Sequence, residues 1–142
     1  MSEFIDNEGR IILPTGSLSV SELVSLLNTI PIEVTFVDAQ DTVRYFSQAK
    51  DRVFTRTRAI IGRKVQQCHP PASVPLVQKI LDDFRSGARD SAAFWITHKQ
   101  KFVHIEYFAL RNEQGGYLGT LEVTQDLTER KKLEGERRLD GP

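Results

Sequence analysis

The chain has 142 residues, 39% apolar and 27% charged, enough for one soluble domain with its own core. Nineteen basic and nineteen acidic side chains cancel, so no field of one sign points to nucleic acid or an anionic membrane as a partner. A single cysteine, Cys68, excludes an intrachain disulfide framework, and no apolar run is long enough to span a bilayer or to read as a signal peptide; the expected location is cytoplasmic.

Residues 1–18 read as a lead. Phe4-Ile5 and Ile11-Ile12-Leu13 flank the turn-like Asp6-Asn7-Glu8-Gly9, which allows a small hairpin or an extended arm. An amphipathic helix follows over 19–30. Ser19 is its candidate N-cap, Glu22 the capping-box partner, and Leu18 and Leu23 stand at the staple positions. Leu23, Leu26, Leu27 and Ile30 mark one face, and Pro31 stops the helix. That face needs cover, either from the sheet or from a second copy of the chain. Strands are expected over 32–37 and 42–46, joined by the turn 38–41 into a hairpin. Residues 47–67 carry mixed signals and read as short helical turns, anchored by Ile60-Ile61-Gly62.

The strongest helix is next. Ser73 can cap it and Pro75 is tolerated in its first turn. Val74, Val77, Leu81 and Phe84 fall on one stripe with Ile80 beside it, and Gly87 supplies the stop. Three strands follow, over 91–98, 102–111 and 117–125, separated by turns at Lys99-Gln100 and 113–116. Two strands, then helices, then three strands give an α+β fold: five antiparallel strands with helices on one face. Beyond the last strand, Asp126 reads as a helix cap with Glu129 closing its box, feeding a charged helix over 129–142.

This order, with these junctions, resembles the PAS family of sensor domains. Val34-Thr-Phe-Val-Asp38 with Val43-Arg-Tyr-Phe46 is similar to the opening hairpin, Ile61-Gly62-Arg63 to the Leu-Gly-Arg element, and His69-Pro70 to the His-Pro turn before the long helix. Asn112-Glu-Gln-Gly115 is similar to the turn before the last strand, and Asp126-Leu-Thr128-Glu-Arg to the Asp-Ile-Thr-Glu-Arg exit. A prokaryotic subfamily is closer still. Its Leu-Pro-Thr-Gly, Thr-Phe-Val-Asp, Cys-His-Pro-Pro, Glu-or-Ala-Phe-Trp-Ile and Leu-Glu-Gly-Glu-Arg-Arg-Leu runs stand here at 13–16, 35–38, 68–71, 93–96 and 133–139. In larger relatives this module follows helical and hemerythrin-like domains. The resemblance implies a PAS domain over 31–128, flanked by the lead, the 19–30 helix and the charged 129–142 segment.

Cys68-His69-Pro70-Pro71 has two readings: a rigid turn, or a ligand for haem or a metal. Adjacent residues rarely converge on one metal, and His98 and His104 lie on other strands, so no metal site is expected. His69 would be a ligand only if haem is bound. Haem-binding PAS domains commonly carry the axial His on the long helix, and 74–86 contain none. The cysteine run of flavin photosensors is absent, which argues against a flavin photoadduct.

Alternation puts Val103, Ile105 and Tyr107 on one face of the fourth strand, and Phe102, His104, Glu106, Phe108 and Leu110 on the other. We assign Val103, Ile105, Tyr107, Leu121 and Val123 to the face under the long helix. The expected pocket is then His69, Trp95, Tyr107, Leu121, Val123 and Gln125. Phe102 and Phe108 on the far face, with Leu23, Leu26 and Leu27, are the expected contact of a homodimer. The function expected is a non-catalytic sensory or relay module. It binds a small ligand between helix and sheet and signals through the exit at Asp126 and Thr128 to a downstream effector. The alternatives are a ligand-free dimerisation module and, ranked low, an enzyme using His104 and Glu106 as acid and base. No nucleic acid or membrane partner is expected.

Overall fold

A computed structural model describes residues 3–139. The lead forms a small hairpin, β1 (Ile11–Leu13) with β2 (Gly16–Leu18). Helix α1 (Val20–Thr29) starts in the expected capping box: Glu22 N–H donates to Ser19 Oγ (3.0 Å), and Ser19 N–H donates to Glu22 Oε1 (2.8 Å). Arg10 ties the hairpin to this helix, donating to Ser17 Oγ and pairing with Glu22 at 2.7 Å.

The main sheet contains β3 (Glu33–Asp38), β4 (Val43–Phe46), β5 (Ser91–His98), β6 (Lys101–Arg111) and β7 (Tyr117–Asp126), in the order β4-β3-β7-β6-β5. Every neighbouring pair is antiparallel. The Lys99-Gln100 turn has positive φ at both residues, 49° and 66°, the geometry whose twist suits a two-residue hairpin. Between β4 and α2 (Val74–Ser86) the chain makes three 3₁₀ turns, Arg58–Ile60, Val65–Cys68 and Pro71–Ser73. The last runs straight into α2, so Ser73 stands at the N-cap in helical conformation and makes no side-chain cap bond, unlike the cap expected of it. Gly87 ends α2 at φ 82°, as its position predicts.

The core lies between α2 and the sheet. Phe84 is fully buried and Leu81 nearly so, over Val37, Val43, Val103 and Ile105. Burying a phenylalanine of this kind stabilises the fold by about 1.5–3 kcal/mol. Val34 and Val123 are buried as well, on the opposite face. Apolar burial on both faces has a direct consequence for the site.

The charged C-terminal helix does not form among the described residues. After β7 there is one 3₁₀ turn, Arg130–Lys132, and then irregular chain with Leu133 and Leu139 exposed. The segment has no apolar stripe to bury, and Gly135 at φ 63° breaks it. Residues 140–142 lie outside the described range. No helix among the described residues is long and apolar enough to cross a membrane.

Candidate functional site

A cavity of about 30 Å³ lies under α2, with room for one or two water molecules. Its apolar lining comes from Val77, Ile80 and Leu81 of α2, Val65 of the preceding turn and Val37 of β3. Its polar lining is His69, Tyr107, Thr120 and Glu122. An open groove of about 520 Å³ between α2 and β5 shares His69, Val77, Ile80 and Tyr107 with the cavity, so those side chains stand between the two.

His69, Thr120 and Glu122 are each held by hydrogen bonds within the chain. His69 Nδ1 lies 2.9 Å from the Val65 carbonyl, so that nitrogen donates its proton to the hydrogen bond and Nε2 is turned away from this bond. Cys68 Sγ turns instead to the Lys64 carbonyl, at 3.6 Å. Thr120 Oγ1 and Tyr117 Oη share a hydrogen bond at 2.7 Å. Glu122 accepts from Arg56 Nη2 at 3.2 Å and from Thr124 Oγ1 at 3.3 Å. Burial, reinforced by the Glu122 charge, raises the Tyr107 pKa far above the ordinary phenol value, so the hydroxyl stays protonated. Glu33 continues this face of the sheet. Its Oε1 accepts from Val53 N–H and faces Arg52 at 3.7 Å, while Oε2 is buried without a partner.

The register corrects the face assigned to β7. Directly opposed residues of an antiparallel pair share a face. Tyr107 opposes Glu122 and Ala109 opposes Thr120, whereas Phe108 opposes Leu121, Glu106 opposes Val123 and His104 opposes Gln125. Leu121, Val123 and Gln125 therefore stand on the far face with Phe108, and Thr120, Glu122 and Thr124 face α2. Trp95 is also displaced from the expected set. It opposes His104 on the far face, stacks on that ring at 6.3 Å between centroids, and is 63% exposed. Of the six expected pocket residues, the structure brings His69 and Tyr107 together.

The junction after β7 is pinned to the start of β6. Leu127 N–H donates to the Phe102 carbonyl (2.8 Å), and Phe102 N–H donates to Thr128 Oγ1 (2.9 Å). Asp126 Oδ1 accepts from both the N–H and the hydroxyl of Thr128. These bonds hold the Asp126 carboxyl below the ordinary range. Asp126 thus closes a turn on Thr128, in place of the helix-capping box expected with Glu129. Lys131 Nζ sits 4.1 Å above the Phe102 ring.

The PAS domain family matches residues 23–128. The chain belongs to that family. A search of curated protein sequences returned no match. Among solved structures, a C-terminal domain from Streptococcus mutans is 34% identical with a TM-score of 0.84, covering 91% of this chain and all of that one. The PAS domain of BvgS from Bordetella pertussis is 15% identical with a TM-score of 0.57, covering 80% and 89% of the two chains. VqmA of Vibrio cholerae, solved bound to DPO, is 21% identical with a TM-score of 0.56, covering 78% and 59%. The last two likenesses concern the fold.

In this PAS domain the space under α2 does not fit haem. It is the size of one or two waters, far smaller than the macrocycle. The expected dimer residues also have neighbours within the chain. Leu23 and Leu27 are half-buried and line a groove with Tyr45, Phe46 and Ile61; Phe102 and Phe108 are half-buried, and Leu26 is 45% exposed. Thr120 and Glu122 are the polar cavity residues missed from sequence. The signal that could have found them is the pairing of Tyr107 with a polar residue, once the β6–β7 register is counted back from the 112–116 turn.

Proposed function

We propose that this PAS domain is a non-catalytic sensory or signal-relay module that takes a small ligand between α2 and the sheet. The observation that carries the reading is the convergence of His69, Tyr107, Thr120 and Glu122, from three separate elements, on one otherwise apolar cavity. The ligand chemistry this lining suits is small, mostly apolar and neutral, with a donor for Glu122 or His69 and an acceptor for Tyr107. Entry needs α2 to lift from the sheet or the groove beside β5 to open inward. A ligand touching Thr120 and Glu122 biases β7, and β7 ends in the Asp126–Thr128 junction, so differential affinity for two arrangements of β7 is the proposed relay. VqmA, a neighbour of the same fold, was solved bound to DPO.

The small cavity volume favours a second reading, a ligand-free interaction module. In either reading the domain is proposed to act as a homodimer, with Leu23, Leu26, Leu27, Phe102 and Phe108 as one candidate contact surface, and to address an effector through the segment after Thr128.

Mass spectrometry of a denatured extract of the purified domain separates the two. The sensory reading expects one recurrent small molecule in the wild type and its loss in Tyr107→Phe and Glu122→Gln. Extracts that stay empty across preparations and growth conditions favour the interaction module.

A further inference from the structure

The two edges of the sheet are finished differently. At β4, Val43 N–H donates to the Arg63 carbonyl (2.9 Å), Gly62 N–H donates to the Val43 carbonyl (2.8 Å), and Thr42 bridges Lys64, so that edge is sealed by the following loop. At the other edge, all eight residues of β5 pair with β6, and among the described residues no strand lies beyond it. Main-chain N–H and C=O groups stand open along about 26 Å of strand. Such edges are usually blunted by lysine, proline or a bulge. Residues 91–98 contain no lysine or proline, and their register with β6 runs unbroken. Three large apolar side chains stay exposed there: Phe94 at 42%, Trp95 at 63% and Ile96 at 37%.

We propose that the β5 edge pairs antiparallel with the β5 edge of a second copy of this chain, joining two sheets into one. The strand's own sequence selects that occupant. A two-fold axis through Trp95 sets Trp95 opposite the partner's Trp95, Phe94 opposite the partner's Ile96, and Ala93 opposite the partner's Thr97. Every large apolar group then meets another. Moving the axis to Phe94 sets Trp95 against Ala93, and moving it to Ile96 sets Trp95 against Thr97. The tryptophans meet on the far face beside the His104 rings, and the Phe94–Ile96 pairs meet on the α2 face. A contact of this kind is isologous and closes at two copies. A strand from a different protein would need none of this symmetry.

Cross-linking and mass measurement test the contact. In a Cys68→Ser chain, Trp95→Cys is expected to give a disulfide-linked dimer under mild oxidation, because opposed antiparallel positions lie about 4.5–5.5 Å apart. Leu26→Cys is expected to remain a single chain on a denaturing gel. Ile96→Lys, at an exposed position, is expected to halve the mass seen by light scattering at micromolar concentration while leaving the circular dichroism spectrum intact. A wild-type monomer at that concentration overturns the proposal. So does a dimer that survives Ile96→Lys and cross-links through Leu26→Cys in place of Trp95→Cys.

Discussion

Glu33 and Glu122 both project onto the α2 face of the sheet, and they are held differently. Glu122 has Arg56 and Thr124. Glu33 has one bonded oxygen and one orphan, and burial raises its pKa in spite of Arg52 and the Val53 N–H. A carboxyl raised in the fold contributes stability below its unfolded pKa and loses it as pH rises through the folded value. Glu33→Gln removes that loss. The midpoint of the variant minus that of the wild type is therefore expected to move in favour of glutamine between about pH 4 and pH 7. Thermal melts across that range test it, and a constant difference refutes it. Asp126 runs the other way: its lowered pKa favours the fold above the unfolded value and loses that contribution as pH falls through the folded one. His69 and Tyr107 are legible in the sequence, one from a His-Pro turn and one from alternation. Thr120 and Glu122 are not, because a polar residue on a strand reads as solvent-facing. What makes Glu122 acceptable inside is Arg56, sixty-six positions away in the chain.

Strand β7 joins the site to the chain's exit, and its packing against β3 depends on one residue. Gly119 opposes Asp38 at φ 151°. A Cβ there would stand 2.3 Å from the Val37 carbonyl oxygen and 2.8 Å from the Phe36 ring. Gly119→Ala must push β7 from β3, and a loss of about 3 kcal/mol or more is expected. Urea denaturation measures it; a loss under about 1 kcal/mol would mean the strands separate easily at this point. Elements whose ends are marked by local chemistry were readable in advance: the α1 capping box, the Gly87 stop and the hairpin turns. The segment after β7 was not. Its acidic and basic side chains have high helix propensity, but helices of this length are stabilised by packing, and no apolar face is present to pack. Asp126 and Thr128 instead spend their hydrogen bonds on each other and on Phe102.

Across the molecule, stability is unevenly distributed. Helix α2 buries Leu81 and Phe84, whereas α1 has no fully buried residue and leaves Val20, Val24 and Leu26 exposed. The N-terminal hairpin and α1 hold together through Arg10, and Asn28 reaches the body by accepting from Gln48 N–H at 2.9 Å. Amide hydrogen exchange is therefore expected to be about ten-fold or more faster in the middle of α1 than in the middle of α2. Equal protection would show that a second copy or a tighter contact covers α1. The sequence by itself determined the elements up to β7, their order and the family, since periodicity, caps and turn residues act over a few neighbours. Only the tertiary structure decided which face of β7 lies under α2. Apolar residues are buried on both sides of this sheet, so hydrophobicity does not choose between them. The β6–β7 register chooses, and long-range ion pairs make the polar face tolerable.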